Sequence, residues 1–310
     1  MEFIDLHTHS TASDGTATPA EVFHIARELQ LAAVALTDHD TLGGLKEFMD
    51  AAKNHPECEA ICGVELACTF MSREIHIVGL FINPESPELN DFIETARIER
   101  MRRNRDLLVK LDLLGYKLDP EMPEFSGLPL DGIGRPHFAA ALVNRYGFTH
   151  PRHVFEKLLG KNRPAYIPRR LPDPAGAINA IHAAGGIAVW AHPVRREANE
   201  RAYLKRAARK LAAIGIDAVE GYYSMFGTAE TAMVHEIALP LNLAISGGSD
   251  FHGANSPDVV LGFGAGGLRV PAELLNALKA KRPGLSPLPD SRPEFDGRPG
   301  RRTVFPRQDW

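Results

Sequence analysis

Residues 2–15 read EFIDLHTHSTASDG, an apolar run that stops at two histidines one residue apart, His7 and His9, with Asp14 five residues further on. Residues 2–6 have the length and composition of a strand, and residues two apart on an extended chain point the same way, so both imidazoles can reach one ion. Alone, His-x-His is a weak signal, and Asp14 before Gly15 is more simply a turn residue. The weight comes from recurrence: strands that end in metal-ligating residue types appear again and again along the chain.

A strand expected at 32–37 runs into TDHD, which carries Asp38, His39 and Asp40. One at 59–66 ends in GVEL, where Glu65 would be costly to bury unless paired or metal-bound. His76 lies within a strand at 75–81, and His192 follows one at 186–191 in AHP. A further strand is expected at 218–222, and the last, at 243–246, leads through two glycines into SDFH with Asp250 and His252. Helical patterns separate them at 42–54, 174–184, 198–214 and 229–238, and Thr18, Pro19 and Glu21 form a capping-box start for another. Seven strands mostly alternating with helices suggest an α/β parallel barrel, with the open doubly wound sheet as its rival. In parallel barrels the C-terminal rim carries the active site. All nine residues fall at or near that end of a strand, His76 least clearly. The other histidines serve as a control: His24, His182 and His235 fall in expected helices and His55, His150 and His153 in connections.

Six imidazoles and three carboxylates exceed what one ion needs and suit two or three. Nitrogen and oxygen donors without thiolate fit zinc, manganese or iron alike. Clustered divalent ions generate hydroxide at neutral pH and stabilise in-line displacement at phosphorus, so phosphoester hydrolysis is the expected chemistry.

The 310 residues, 44% hydrophobic and 24% charged, belong to an ordinary globular chain and exclude a wholly disordered or fibrous one. A net charge of −4 argues against general affinity for duplex DNA, and no apolar stretch approaches the roughly 20 residues of a membrane span. Glu2 and Asp5 stand where a secretory signal would be basic and then apolar, so a cytoplasmic location is expected. Cys58, Cys62 and Cys68 are odd in number and close together, which points to free thiols. The strand–helix alternation is interrupted by a stretch of different character. We expect a discontinuous barrel from residues 1–85 and 165–282, an inserted small helical cap at 86–164, and a flexible Pro- and Arg-rich tail at 283–310. The cap opens with a long helical pattern at 88–114, where Arg97, Arg100, Arg102, Arg103, Arg105 and Lys110 outnumber Glu99 and Asp106 by four; a solvated helix face is the simpler reading. Further on, Arg135, His137, Arg163, Arg169 and Arg170 occupy loop or helix-start positions.

HTHSTASDG, TDHDT, GVEL, the histidine of EIHIVG, AHP and SDFH resemble, in that order, the motifs of the polymerase-and-histidinol-phosphatase (PHP) family of metal-dependent phosphoesterases. The resemblance covers about residues 1–85 and 165–280 and implies a distorted (β/α)7, TIM-like barrel with a metal cluster at its C-terminal rim. GRPH at 134–137 and NRPAYIP at 162–168 look like the subgroup that hydrolyses nucleotide phosphates. Its members are described as 3′,5′-nucleoside bisphosphate phosphatases, some of which trim short RNA from its 5′ end.

Position by position, the resemblance implies one ion among His7, His9, Glu65 and Asp250, a second among Glu65, His76 and His192, and a third among Asp14, His39 and His252. Where some relatives have histidine, Asp14 gives the third site a harder donor. The attacking group would be a metal-bridging hydroxide held by Glu65, His192 and Asp250. Arg135 and His137 are the expected substrate contacts, and Arg169 and Arg170 a clamp for a second phosphate. Asp38 or Asp40 would orient a ligating imidazole. Histidinol phosphate is the alternative substrate, and a PHP module that only binds is the non-enzymatic alternative, against which the full ligand set argues.

Overall fold

The computed structural model describes residues 2–125, 129–168 and 170–282, apart from the side chain of Glu124. Arg169 and the expected tail at 283–310 lie outside the described residues. The strands are β1 (Phe3–Asp5), β2 (Ala33–Leu36), β3 (Glu59–Phe70), β4 (Arg73–Leu80), β5 (Ile187–Trp190), β6 (Ala218–Tyr223), β7 (Ala244–Gly248) and β8 (Val270–Pro271). They form one sheet in the order β7-β6-β5-β4-β3-β2-β1-β8. It curls until β7 returns to β1, where Leu6 N–H donates to Gly247 O at 3.1 Å and Asp250 N–H to His7 O at 2.8 Å. That approach needs glycine: a Cβ on Gly248 would sit 2.4 Å from His7 Cβ. The carboxylate of Asp5 sits in the same seam, fully buried, accepting from Ser249 N at 2.9 Å and Gly262 N at 2.7 Å. Burial raises its pKa above the usual range while these hydrogen bonds oppose the shift.

The short strands are buried on both faces, which is why they read as near-continuous apolar runs. Alternate residues serve two cores. Ala33, Ala35, Ile187, Val189 and Ala218 fill the barrel interior, and Val34, Leu36, Ala188, Trp190 and Val219 meet the surrounding helices. Those helices are α1 (Pro19–Glu28), α2 (Leu45–Ala52), α3 (Pro87–Leu113), α4 (Arg135–Tyr146), α5 (Pro151–Val154), α6 (Pro174–Ala183), α7 (Glu200–Ala213), α8 (Thr228–Ala238) and α9 (Leu274–Lys279). Leu275 and Leu278 of α9 belong to the interior core. The capping box expected at Thr18 is formed: its hydroxyl accepts from Glu21 N at 3.2 Å, and Glu21 Oε2 accepts from Thr18 N at 2.7 Å. His24, His182 and His235 lie in helices as expected, whereas His153 falls inside α5 rather than in a connection.

The barrel is not wholly parallel. β4 runs antiparallel to both β3 and β5, and β8 antiparallel to β1. The reversal is made at Met71 and Ser72, both with positive φ (50° and 64°), which join Phe70 to its partner Arg73 in a two-residue hairpin. His76 therefore reaches the rim from the early part of β4, opposite Ala67, and this explains its position inside a strand.

A separate apolar cluster, including Leu107, Leu111, Phe125, Phe138, Leu142 and Leu158, lies within the insertion. Helix α3 links it to the barrel: Leu89 and Ile93 pack in the helix-facing core of the barrel, and Leu107 and Leu111 in the cluster of the insertion. No described helix is long and apolar enough to cross a membrane. The three cysteines are free, and burial, with Glu57 and Glu59 nearby, pushes the Cys58 thiol up to about 11.

Two predictions concern stability. Gly248→Ala forces a Cβ against the backbone of β1, so denaturant titration should show a loss of about 3 kcal/mol. On the flank of the barrel His182 Nε2 lies 2.7 Å from Asp217 Oδ2, and that hydrogen bond raises the imidazole pKa against the opposing effect of burial. A raised folded-state pKa contributes stability in full below the free imidazole value of about 6.5 and loses it as pH climbs through the raised value. His182→Ala should therefore cost about 1 kcal/mol at acid pH and less at alkaline pH, read from urea midpoints at both.

Candidate metal centre

The interior rows that are apolar at the barrel floor turn polar near its rim. On β3 the row of Ile61 and Gly63 continues to Glu65, on β4 that of Leu80 and Val78 to His76, and on β6 that of Ala218 to Glu220. His7 and His9 flank Thr8, whose hydroxyl donates to Ala35 O at 2.6 Å and whose N–H donates to Thr37 Oγ1 at 3.2 Å, fixing the direction of both rings. His192 breaks the alternation, because by position it belongs with the helix-facing Ala188 and Trp190. A φ of 26° at His192 redirects it, and Asp250 has φ 57°. Left-handed backbone at residues other than glycine costs on the order of 1–2 kcal/mol, a strain that clusters at functional sites.

All nine residues converge, with Glu65 at the centre. This fully buried carboxylate has His39 Nδ1 at 2.8 Å, His7 and His9 Nε2 each at 3.4 Å on Oε2, and His76 Nδ1 at 2.8 Å and His192 Nε2 at 3.0 Å around Oε1. Asp250 Oδ1 lies 3.2 Å from His9 Nε2 and 3.5 Å from His7 Nε2. Asp14 Oδ1 lies 3.2 Å from His252 Nε2, and Asp14 Oδ2 3.9 Å from His39 Nε2. Three donor groups result: His7, His9, Glu65 and Asp250; His39, Glu65 and His76, with His192 on the same carboxylate oxygen; and His9, Asp14, His39 and His252. The sequence-based partition assigned His39 and His9 to one group each, whereas here each stands between two.

Several donors are buried without a hydrogen-bond partner: Nε2 of His7, both ring nitrogens of His9, and Oε2 of Glu65. Leaving such groups unpaired is expensive, and donors bound to a common ion about 2.1 Å away lie roughly 3–3.5 Å apart, the spacing seen here. The residues therefore fit a cluster of divalent ions. Burial would depress the His9 and His76 imidazoles, but Asp250 and Glu65 around the first, and Glu65 and Glu74 around the second, raise each to about 10. Burial likewise opposes ionisation of Asp14 and Glu65, and the surrounding imidazoles outweigh it and hold both carboxyls low. His252 Nδ1 donates to Asp250 O at 2.9 Å, which leaves Nε2 free to act as a donor atom toward an ion.

A cleft of about 780 Å³ lies between this rim and the insertion, lined by Asp14, His39 and His76 on one side and by Gly134, Arg135, Lys161 and Tyr166 on the other. Arg135 faces it, 3.9 Å from Glu74. His137 does not line it: Gly134 N donates to His137 Nδ1 at 3.0 Å, so that nitrogen caps α4, and burial lowers the ring's pKa. Arg170 is exposed and is not among the residues that line the cleft, although its neighbour Leu171 is. Asp38 and Asp40 have partners other than those expected. Asp38 accepts from Ser10 N (2.8 Å), Ser10 Oγ (2.7 Å) and Ser13 Oγ (2.6 Å), bracing the loop between His9 and Asp14. Asp40 pairs with Arg100 of α3.

Sequence reasoning missed five cleft cations. Arg73, Lys161 and Arg195 were not singled out, and Arg100 and Arg103 were placed on a solvated face. Three residues apart on α3, those two turn inward while Arg97 pairs outside with Glu94 and Asp131. It also missed Glu220, 3% exposed and 3.1 Å from His7 Nδ1; the cost of burying a carboxylate in a strand, used to single out Glu65, was the available signal.

Comparison with known proteins agrees with this architecture. Residues 5–118 match the sequence profile of the PHP domain. The chain is 35% identical over 257 residues to a protein from Chromobacterium violaceum named 3′,5′-nucleoside bisphosphate phosphatase, covering 81% of this chain and 88% of that one. It is 33% identical over 249 residues to a 5′-3′ exoribonuclease of Haemophilus influenzae, covering 80% and 89%. A solved structure from C. violaceum, described as an amidohydrolase with bound sulfate and no metal, superposes with a TM-score of 0.76 at 31% identity, over 88% of this chain and 96% of the other. With its motifs gathered at one rim and relatives aligned over four-fifths of its length, the chain belongs to the PHP family.

Proposed function

We propose that the protein is a metal-dependent phosphoesterase acting on nucleotides, with the 3′-phosphate of 3′,5′-nucleoside bisphosphates as its main target and short RNA, attacked from the 5′ end, as a second. Two or three divalent ions would be held by His7, His9, Asp14, His39, Glu65, His76, His192, Asp250 and His252. The observation that carries the reading is a buried floor of unpartnered imidazole and carboxylate donors beneath a cleft walled by cations. The names of the two relatives, one for nucleoside bisphosphates and one for RNA, support the substrate class. Sulfate bound to the solved relative supports affinity for a tetrahedral dianion.

When bound, divalent ions lower the pKa of water and offset the charge that develops on phosphoryl oxygens. Manganese, zinc and iron all suit this donor set. The chain's own residues bind and orient the substrate. Arg135 is held only loosely by Glu74 and is free to move onto a phosphate. Lys161 and Arg195 line the same cleft from exposed positions, Arg195 also donating to Glu74 O, while Arg100 is anchored to Asp40 beside His39 and fixes the positive wall. Tyr166 and Ile167 offer a flat, partly apolar surface suited to a nucleobase.

Purified protein supplied with manganese should release inorganic phosphate from a 3′,5′-bisphosphate faster than from histidinol phosphate. No release with manganese, zinc or iron would reject the reading. Arg135→Ala should raise KM about tenfold and leave the bound metal unchanged, because the side chain faces substrate and not ions. A fall in metal content would show that role to be wrong.

A further inference from the structure

We propose that β6, which supplies none of the nine converging donors, holds three of them in register: Glu220 positions His7 and His192 together, and Tyr223 positions Asp250. The inference rests on the metal-dependent reading above and concerns residues that touch the ligands rather than ions or substrate.

The two oxygens of Glu220 have different tasks. Oε1 lies 3.1 Å from His7 Nδ1, and Oε2 accepts the backbone N–H of His192 at 2.6 Å. A carboxylate oxygen accepts, so His7 Nδ1 carries the hydrogen and its Nε2 lone pair is the one aimed at the cluster, 3.4 Å from Glu65 Oε2 and 3.5 Å from Asp250 Oδ1. The bond to His192 N holds the backbone at the left-handed turn that sends this ring toward Glu65 Oε1. One buried side chain thus bridges two donor groups, that of His7, His9, Glu65 and Asp250 and that of His39, Glu65 and His76 with His192 beside it. Tyr223 repeats the device: its hydroxyl donates to Asp250 Oδ2 at 2.9 Å, leaving Oδ1 as the oxygen turned to His7 and His9.

Two residues three apart on a regular strand point to opposite faces. Glu220 and Tyr223 serve the same rim because β6 slips its register against β7. Glu220 pairs with Ser246 and Tyr222 with Gly247, so Gly221 is an extra residue, as in a β-bulge that re-aims side chains next to a site. A Cβ on Gly221 would lie 2.9 Å from Ile245 Cγ2 and 3.1 Å from the His235 ring, so the bulge is packed and not slack.

The test compares full-length wild type, Glu220→Gln and Tyr223→Phe by calorimetric manganese titration, circular dichroism and phosphate release at rising manganese. In E220Q one amide oxygen replaces two carboxylate oxygens and cannot accept from both partners. Its manganese affinity should fall about 10–100-fold, with two ions weakened together, while the fold is kept and excess manganese restores turnover. Y223F loses one hydroxyl, and should weaken a single ion by less than about tenfold. Restoration by metal is the readout that a purely structural role would not give. Wild-type affinity in E220Q, or in Y223F should E220Q fail to fold, overturns the inference, as does a folded E220Q whose lost activity no manganese restores. Wild type that binds none of manganese, zinc and iron, each titrated in the same way, overturns the metal reading and this inference with it; wild-type binding together with an unchanged E220Q overturns this inference alone.

Discussion

The seam between β7 and β1 is where the barrel closes, and it depends on a carboxylate buried beside glycines: Asp5 accepts from the N–H groups of Ser249 and Gly262, and Gly248 lies against His7. Each N–H orphaned by removing that carboxylate would cost on the order of 1–3 kcal/mol. The larger consequence is spatial. His7 and His9 stand at one end of the sequence and Asp250 and His252 at the other, and only this contact brings them to one point. The bond from Asp250 N to His7 O belongs to the same seam, so closing the barrel and assembling the donor cluster are one event.

A cluster assembled in this way is a concentration of conflict. Five imidazoles surround Glu65, two donor residues have left-handed backbone, and several polar atoms are buried without partners. None of this favours the folded chain by itself. Strain and unsatisfied polarity are tolerated because the surrounding layers are apolar and well packed, and because ions bound at the rim would stabilise the folded state by mass action.

Much of this was legible in the sequence, for a physical reason. A barrel places strand ends together, so residue types that bind metal need only be located relative to strands, and the seven expected strands all form. What was not legible depended on contacts rather than pattern. The reversal of β4 is made by Met71 and Ser72, without the asparagine or glycine that usually marks a two-residue hairpin turn. Arg100 and Arg103 differ from Arg97 and Arg102 only in the side of α3 they occupy, which depends on where the barrel lies. Glu220 sits in a strand whose bulge leaves no mark except Gly221, and nothing in GRPH marks Nδ1 of His137 as the acceptor for Gly134 N. Asp38 and Asp40 were singled out for proximity to His39, and proximity in sequence did not specify their partners.

Helix α3 adds a mechanical consequence. With 27 residues it is about 40 Å long, and its first turns are embedded in the barrel while its last turns carry the apolar cluster of the insertion. Its barrel anchor farther along is the pairing of Arg100 with Asp40, and Leu111 lies about 16 Å along the axis beyond that point. A tilt of about 5° about that anchor would move the far end by roughly 1.5 Å, comparable to the difference between admitting and excluding a substituent on a nucleotide. The width of the cleft is therefore set partly by side chains under the first turns of α3, and substrate preference can drift through substitutions that touch neither the cleft nor the rim.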